Sequence, residues 1–187
     1  MEALVPAFIV TVLAQLGEKP ALLTAILADR FNQPLRVALA AIVAHAGLNA
    51  MAAMGAILIG PTLSPNAQAL FLAIAFLFGG LGALLPARAP DRLDGWRLGA
   101  MATTALGTFS VALGSQTQFF ALAFGVFGLP WFAFAGTLAG TACVAIAAAL
   151  TGETLWVRMP LRALRAVSAV LFLGAAAVIG SGALRLT

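Results

Sequence analysis

Apolar residues fill this chain in blocks far longer than one face of a strand or of a surface helix requires. Asp, Glu, Lys and Arg are absent from Val37 to Ala87 and again from Leu98 to Gly152. A helix needs about 20 residues to cross a bilayer, so each charge-free run must turn back and hold at least two spans. Pro61, Pro65 and Gly128-Leu129-Pro130 supply the turns. The pattern predicts six spanning helices, near residues 4–28, 37–60, 66–86, 98–127, 130–151 and 163–184. Met1-Glu2-Ala3 lacks the basic stretch that opens a signal peptide, and no small-residue cleavage site follows, so the first apolar block is expected to remain as a span.

Composition agrees with the pattern. Hydrophobic residues make up 63% of the chain and charged residues 9%, too few charges for a water-facing surface. The expected fold class is therefore all-α: a polytopic membrane protein. Its formal charge of +4 is explained by loops. Arg30, Arg36, Arg88, Arg92, Arg97, Arg158, Arg162 and Arg165 fall in alternate connections, whereas the opposite side carries only Arg185 outside the membrane. The positive-inside rule puts the arginine-rich loops in the cytoplasm and both termini outside, in a bacterial-type inner membrane. Nucleic acid is not an expected partner, because the basic residues are spread over three loops with no aromatic-interleaved patch. The single Cys143 lies mid-span without an intrachain partner. No enzyme signature is present: Ser110 and Ser115 lack a neighbouring base, and there is no phosphate-binding glycine loop.

Glu18 and Lys19 are the two charges set deep within a predicted span, in Gln15-Leu16-Gly17-Glu18-Lys19-Pro20. Ionisable groups at that depth are costly and mark ion, proton or substrate paths. The surrounding segment repeats. Leu16-Gly17-Glu18-Lys19-Pro20 has a counterpart in Leu113-Gly114-Ser115-Gln116-Thr117, 97 positions on, while Phe31 and Pro34 correspond to Phe127 and Pro130, 96 positions on. Two three-helix repeats are expected, at residues 1–86 and 98–187, joined by a cytoplasmic linker at 87–97. An odd number of spans per repeat inverts the second copy, as in many secondary transporters.

In these features the chain resembles the GDT-one family, also called uncharacterised protein family sixteen, which includes the Golgi manganese transporter. Its members carry Glu-x-Gly-Asp-Lys/Arg-Thr/Ser once in each half of six helices. The Ala-Asp-Arg-Phe ending of the first span, the central Arg-Leu-Asp-Gly-Trp-Arg and the Gly-Thr-Phe before the second motif share in the likeness. The resemblance implies a divalent cation/proton exchanger, with Mn2+ or Ca2+ as transported ion and no resident cofactor. Against that pattern the motifs are degenerate. Gln15 stands for the first Glu, Glu18 for Asp and Pro20 for Thr/Ser, with Gly17 and Lys19 kept. In the second copy Ala112 stands for Glu, Ser115 for Asp and Gln116 for the basic residue, with Gly114 and Thr117 kept.

Two intact motifs would bring four carboxylates and two cations, a net −2 suited to a dication held by hard oxygen ligands. Here Glu18 and Lys19 sum to zero. Glu18 is the expected metal ligand, and Gln15, Lys19, Ser115, Gln116, Thr117 and Gln118 line the expected cation or proton path. His45 and Asn49 are secondary candidates, because an imidazole can carry protons near neutrality. The polar residues also have a plainer reading as hydrogen-bonding glue between helices. Met51 and Met54 are expected in packing. Gly136-Thr137-Leu138-Ala139-Gly140 and Gly79-Gly80-Leu81-Gly82 allow close helix approach, within one chain or between two. Expected partners are the lipid bilayer, small cations and protons, with a homodimer or a heterodimer with an intact homologue left open. Two rivals to cation exchange stand beside it: a non-transporting subunit paired with an intact homologue, and a transporter of another small solute.

Overall fold

The computed structural model describes residues 3–85 and 89–184. Met1, Glu2, Pro86, Ala87, Arg88, Arg185, Leu186 and Thr187 lie outside the described residues, and with them the expected positions of the two chain ends. The described residues form helices α1 (Leu4–Gln15), α2 (Lys19–Phe31), α3 (Pro34–Ile59), α4 (Pro65–Leu84), α5 (Gly99–Ala112), α6 (Gln116–Phe127), α7 (Pro130–Arg158) and α8 (Leu161–Ala183). A single 3-10 turn, Gly60–Thr62, separates α3 from α4, and no strand occurs among the described residues.

Helices α3, α4, α7 and α8 are each long and apolar enough to span a bilayer. The pairs α1–α2 and α5–α6 qualify only together, bent by 66° and 67°, which gives up to six spans when each bent pair is one span. The predicted spans 4–28 and 98–127 are thus bent pairs, the first bending at Gly17 and Pro20. Both halves run in the same order: bent pair, long helix, long helix.

Local chemistry sets the boundaries. Pro34, Pro65 and Pro130 open α3, α4 and α7 at the position where a missing N–H costs nothing. Ser64 caps α4 by accepting from the Ala67 N–H. Helix α7 runs past the predicted end at residue 151, because Gly152 turns the backbone at φ 70°, ψ 174° and the helix resumes behind it. The Asp29 carboxylate accepts the Glu153 N–H at 2.8 Å, satisfying an amide freed at this restart.

The burial pattern is that of a molecule whose outside is lipid. Leu35, Leu39, Val43, Leu58, Val170 and Val178 are exposed, whereas Thr11, Gln15, Thr104, Thr108, Thr137 and Thr141 are buried. Met51 and Met54, expected in packing, instead lie on the outer face, each more than half exposed. Gly136 and Gly140 are inside: a Cβ on either would strike the α1 backbone at Leu4 or Phe8. This small-residue stripe therefore joins α7 to α1 within the chain. A second contact comes from Phe76, Phe120, Phe124 and Phe172, whose rings meet edge to face, Phe120 and Phe172 at 5.2 Å. Phe120 and Phe124 are core residues, while Phe127 is exposed.

The basic loops gather at one end of the bundle. Arg30 donates to the carbonyls of Leu93 at 2.6 Å, Asp94 at 3.2 Å and Trp96 at 3.0 Å, so the end of α2 holds the linker. Arg92 pairs with Glu153, binding that linker to α7.

Candidate ion path

The two bends are built alike. In the first, the Glu18 N–H bonds the Gln15 carbonyl at 3.0 Å; in the second, the Ser115 N–H bonds the Ala112 carbonyl, also at 3.0 Å. Glu18 and Ser115 are the extended N-cap residues of α2 and α6. Their side chains then part. Ser115 caps its own helix, accepting from the Gln118 N–H at 3.4 Å. Glu18 leaves its own helix uncapped and reaches across to the other: Thr117 Oγ1 donates to Glu18 Oε2 at 3.2 Å. The Gln116 and Thr117 N–H groups face the same carboxylate. An acid at the start of α6 lies on the positive end of the helix dipole, a favourable place for a negative charge.

Glu18 and Lys19, whose charges sum to zero, form no ion pair with each other in this geometry. Lys19 opens α2 as an exposed side chain, and the ion pair found among the described residues is Arg92–Glu153. Glu18 reaches Thr117 while Lys19 is exposed, because an extended N-cap and the first helical residue project in different directions.

A small cavity of about 30 Å3 lies beside the carboxylate, lined by Glu18, Gln116, Ser168, Arg165 and the glycines Gly17 and Gly82. That volume suits about one water molecule. Beyond it a cleft of about 950 Å3 opens at the arginine-bearing end between α2, α8 and the end of α7, with Glu18, Lys19, Arg92, Glu153, Arg162 and Arg165 on its walls.

The other sequence candidates divide. Gln116 joins Glu18 at the cavity, but Gln15 is buried elsewhere and donates to Thr141 Oγ1 at 3.1 Å. Gln118 serves the second bend: its Oε1 accepts the Gly114 N–H at 2.7 Å and its Nε2 donates to the Leu48 carbonyl at 3.5 Å. Gly114 needs this partner because its φ of +73° breaks the helix there. The Leu48 carbonyl belongs to the same turn of α3 as His45 and Asn49, both buried, and the Asn49 Nδ2 has no partner among the described residues. Among the described residues no three His, Cys, Asp or Glu side chains form a metal-holding group.

Arg165 is the residue that loop assignment missed. It lies in the first two turns of α8 and donates to the carbonyls of Gly82 and Leu85 at the end of α4. Its stem lies over Gly17, where any Cβ would collide with it. The signal was its spacing: Arg162, Arg165 and Ser168 recur every three residues along one helix face.

Residues 3–91, which include the first bend, match the model of the family described as "Divalent cation/proton antiporter GDT1". The N-terminal half is thus similar to the GDT1 family. The likeness continues beyond it. A protein of Vibrio cholerae named "Putative manganese exporter" is 28% identical over 183 residues, covering 92% of this chain and 88% of the relative. No solved structure matches. The chain is thus similar to cation transporters and is a multi-pass membrane protein, and Glu18 falls inside the matched region.

Proposed function

We propose that this protein is a cation/proton exchanger of the divalent type, acting on Mn2+ or Ca2+, in which the cation site is weakened. The observation that carries this reading is the Glu18 carboxylate held by Thr117 at the start of α6, beside a cavity at the meeting of two helix bends. Broken helices that meet at a polar centre are the usual ion sites of transporters built from inverted repeats. The weakening follows from charge. Glu18 and Glu153 bring −2, whereas Lys19, Arg92, Arg162 and Arg165 line the same approach with +4. A dication must shed water there without the net negative field that hard ligands normally supply.

In this reading the arginine-bearing end faces the cytoplasm, the chain ends lie on the far side, and the wide cleft is the cytoplasmic entrance. Glu18 takes up the cation or a proton in turn, and Thr117 with the α6 amides orients it. Gln116 offers a neutral oxygen at the cavity.

The test is ion flux into liposomes holding the purified protein. Mn2+ uptake is expected to be slow and to disappear in Glu18→Gln. The triple change Gln15→Glu, Ala112→Glu and Ser115→Asp is expected to raise it and make it depend on an imposed pH gradient. Fast Mn2+ uptake that survives Glu18→Gln would refute this assignment. The same charge balance favours a second reading, a non-transporting partner of an intact homologue. Under it, the restored acids leave flux at zero and the protein migrates with such a homologue on native gels.

A further inference from the structure

The small cavity and the wide cleft share four lining residues: Gly17, Glu18, Ala83 and Arg165. They form the partition between the two spaces. Of the four, Arg165 is the long, flexible one, and its stem occupies the room that Gly17 leaves by having no side chain. A glycine is required at this point for close approach, whereas Gly114 is required at the other bend for its positive φ.

What holds Arg165 is as informative as where it lies. Its guanidinium donates to the Gly82 and Leu85 carbonyls, the negative end of the α4 dipole. Among the described residues it has no carboxylate within ion-pairing distance, although its charge acts on Glu18 from nearby. A hold on neutral carbonyls is weaker than a forked arginine–carboxylate pair, so the side chain can leave without stranding a buried anion–cation partner. It is a cation that waits beside the acid without being locked to it.

We propose that Arg165 is the gate of the ion path and a tethered stand-in for the transported cation. In the resting arrangement its guanidinium closes the cavity beside Glu18 to the cleft and compensates the charge of that acid. A dication that meets Glu18 at the cleft passes on into the small cavity as Arg165 withdraws toward the cleft, where Arg162 lines the wall on the same helix face. This rests on the cation-transport reading above and adds the residue that controls access and tunes affinity.

The test separates the gate from the cation. In a Cys143→Ser background, Ser168→Cys puts a thiol in the small cavity, where Ser168 is buried and donates to the Leu13 carbonyl at 3.3 Å. Labelling by a small, charged, water-soluble thiol reagent is measured for protein in lipid nanodiscs, alone and with Arg165→Gln or Arg162→Gln. Arg165→Gln is expected to speed labelling about tenfold and to tighten Mn2+ binding by a similar factor, since a nearby like charge is removed. Arg162→Gln, which changes a residue of the cleft alone, is expected to alter both by less than about twofold. A purely structural loss at Arg165 would weaken Mn2+ binding rather than tighten it. Unchanged labelling in a folded Arg165→Gln protein, or equal acceleration by Arg162→Gln, overturns the gate. Faster labelling without any Mn2+ binding upholds the gate and counts against the cation reading instead.

Discussion

Gly152→Ala is expected to destabilise the protein severely, while the same change at Gly47 is harmless. Gly152 adopts φ 70°, ψ 174°, a region nearly closed to residues with a Cβ, at a cost of about 1–3 kcal/mol. The new methyl group would also stand where the Asp29 carboxylate now lies. Asp29 must then retreat from the Glu153 N–H, which it accepts at 2.8 Å, and a bond to a charged acceptor is worth about 1.5–3 kcal/mol. The two effects share one cause and add to about 2.5–6 kcal/mol. At Gly47, mid-helix in α3, nothing lies within 4 Å of an added Cβ, so alanine should stabilise by up to about 1 kcal/mol through helix propensity. Unfolding in graded SDS, followed by tryptophan fluorescence, measures both. Trp156 is a suitable reporter because it is buried four residues beyond the bend. A Gly152→Ala protein within about 1 kcal/mol of the parent would refute the argument that this kink and its Asp29 contact are mutually dependent.

Other outcomes follow from single contacts. Gln118→Leu removes the partner of the Gly114 N–H and should cost about 1–3 kcal/mol in the same assay, with Gln118→Glu retaining most of the stability. Gly140→Leu should force α1 from α7 at Phe8 and Thr11, lowering stability by at least about 2 kcal/mol and reducing yield of folded protein. Thr117→Val keeps the shape but deletes the hydroxyl that donates to Glu18. It should leave stability within about 1.5 kcal/mol of the parent while altering the Mn2+ response wherever Glu18 carries it, as read by isothermal titration. In a Cys143→Ser background, Arg92→Cys should react with membrane-impermeant reagent only from the cytoplasmic side and Ser64→Cys only from the other. The reverse result would invert the topology.

Much of the fold was legible in the chain because the properties involved are local. Two charge-free runs, each longer than a bilayer requires, impose turns, and Pro34, Pro65 and Pro130 mark where helices restart. Gly17 with Pro20, and Gly114 with Ser115, likewise announce interruptions where the structure bends by 66° and 67°. What could not be read is which faces meet. Helices that are apolar nearly all round carry no stripe that selects an inner side, so Met51 and Met54 could be assigned to packing and yet face outward. Arg165 could likewise be counted with a loop and yet line the cavity beside Glu18.

The amino-acid order alone therefore determined a membrane protein of up to six spans, its interruptions and its gathered arginines, since length, hydropathy and backbone restrictions act within a few turns. The tertiary structure decided the chemistry of the centre. Only packing brings Thr117 to Glu18 across 99 positions, turns Lys19 away and sets Arg165 over Gly17. Such contacts depend on the register of one helix against another, which is fixed by small-residue seams and aromatic contacts distributed over the whole bundle.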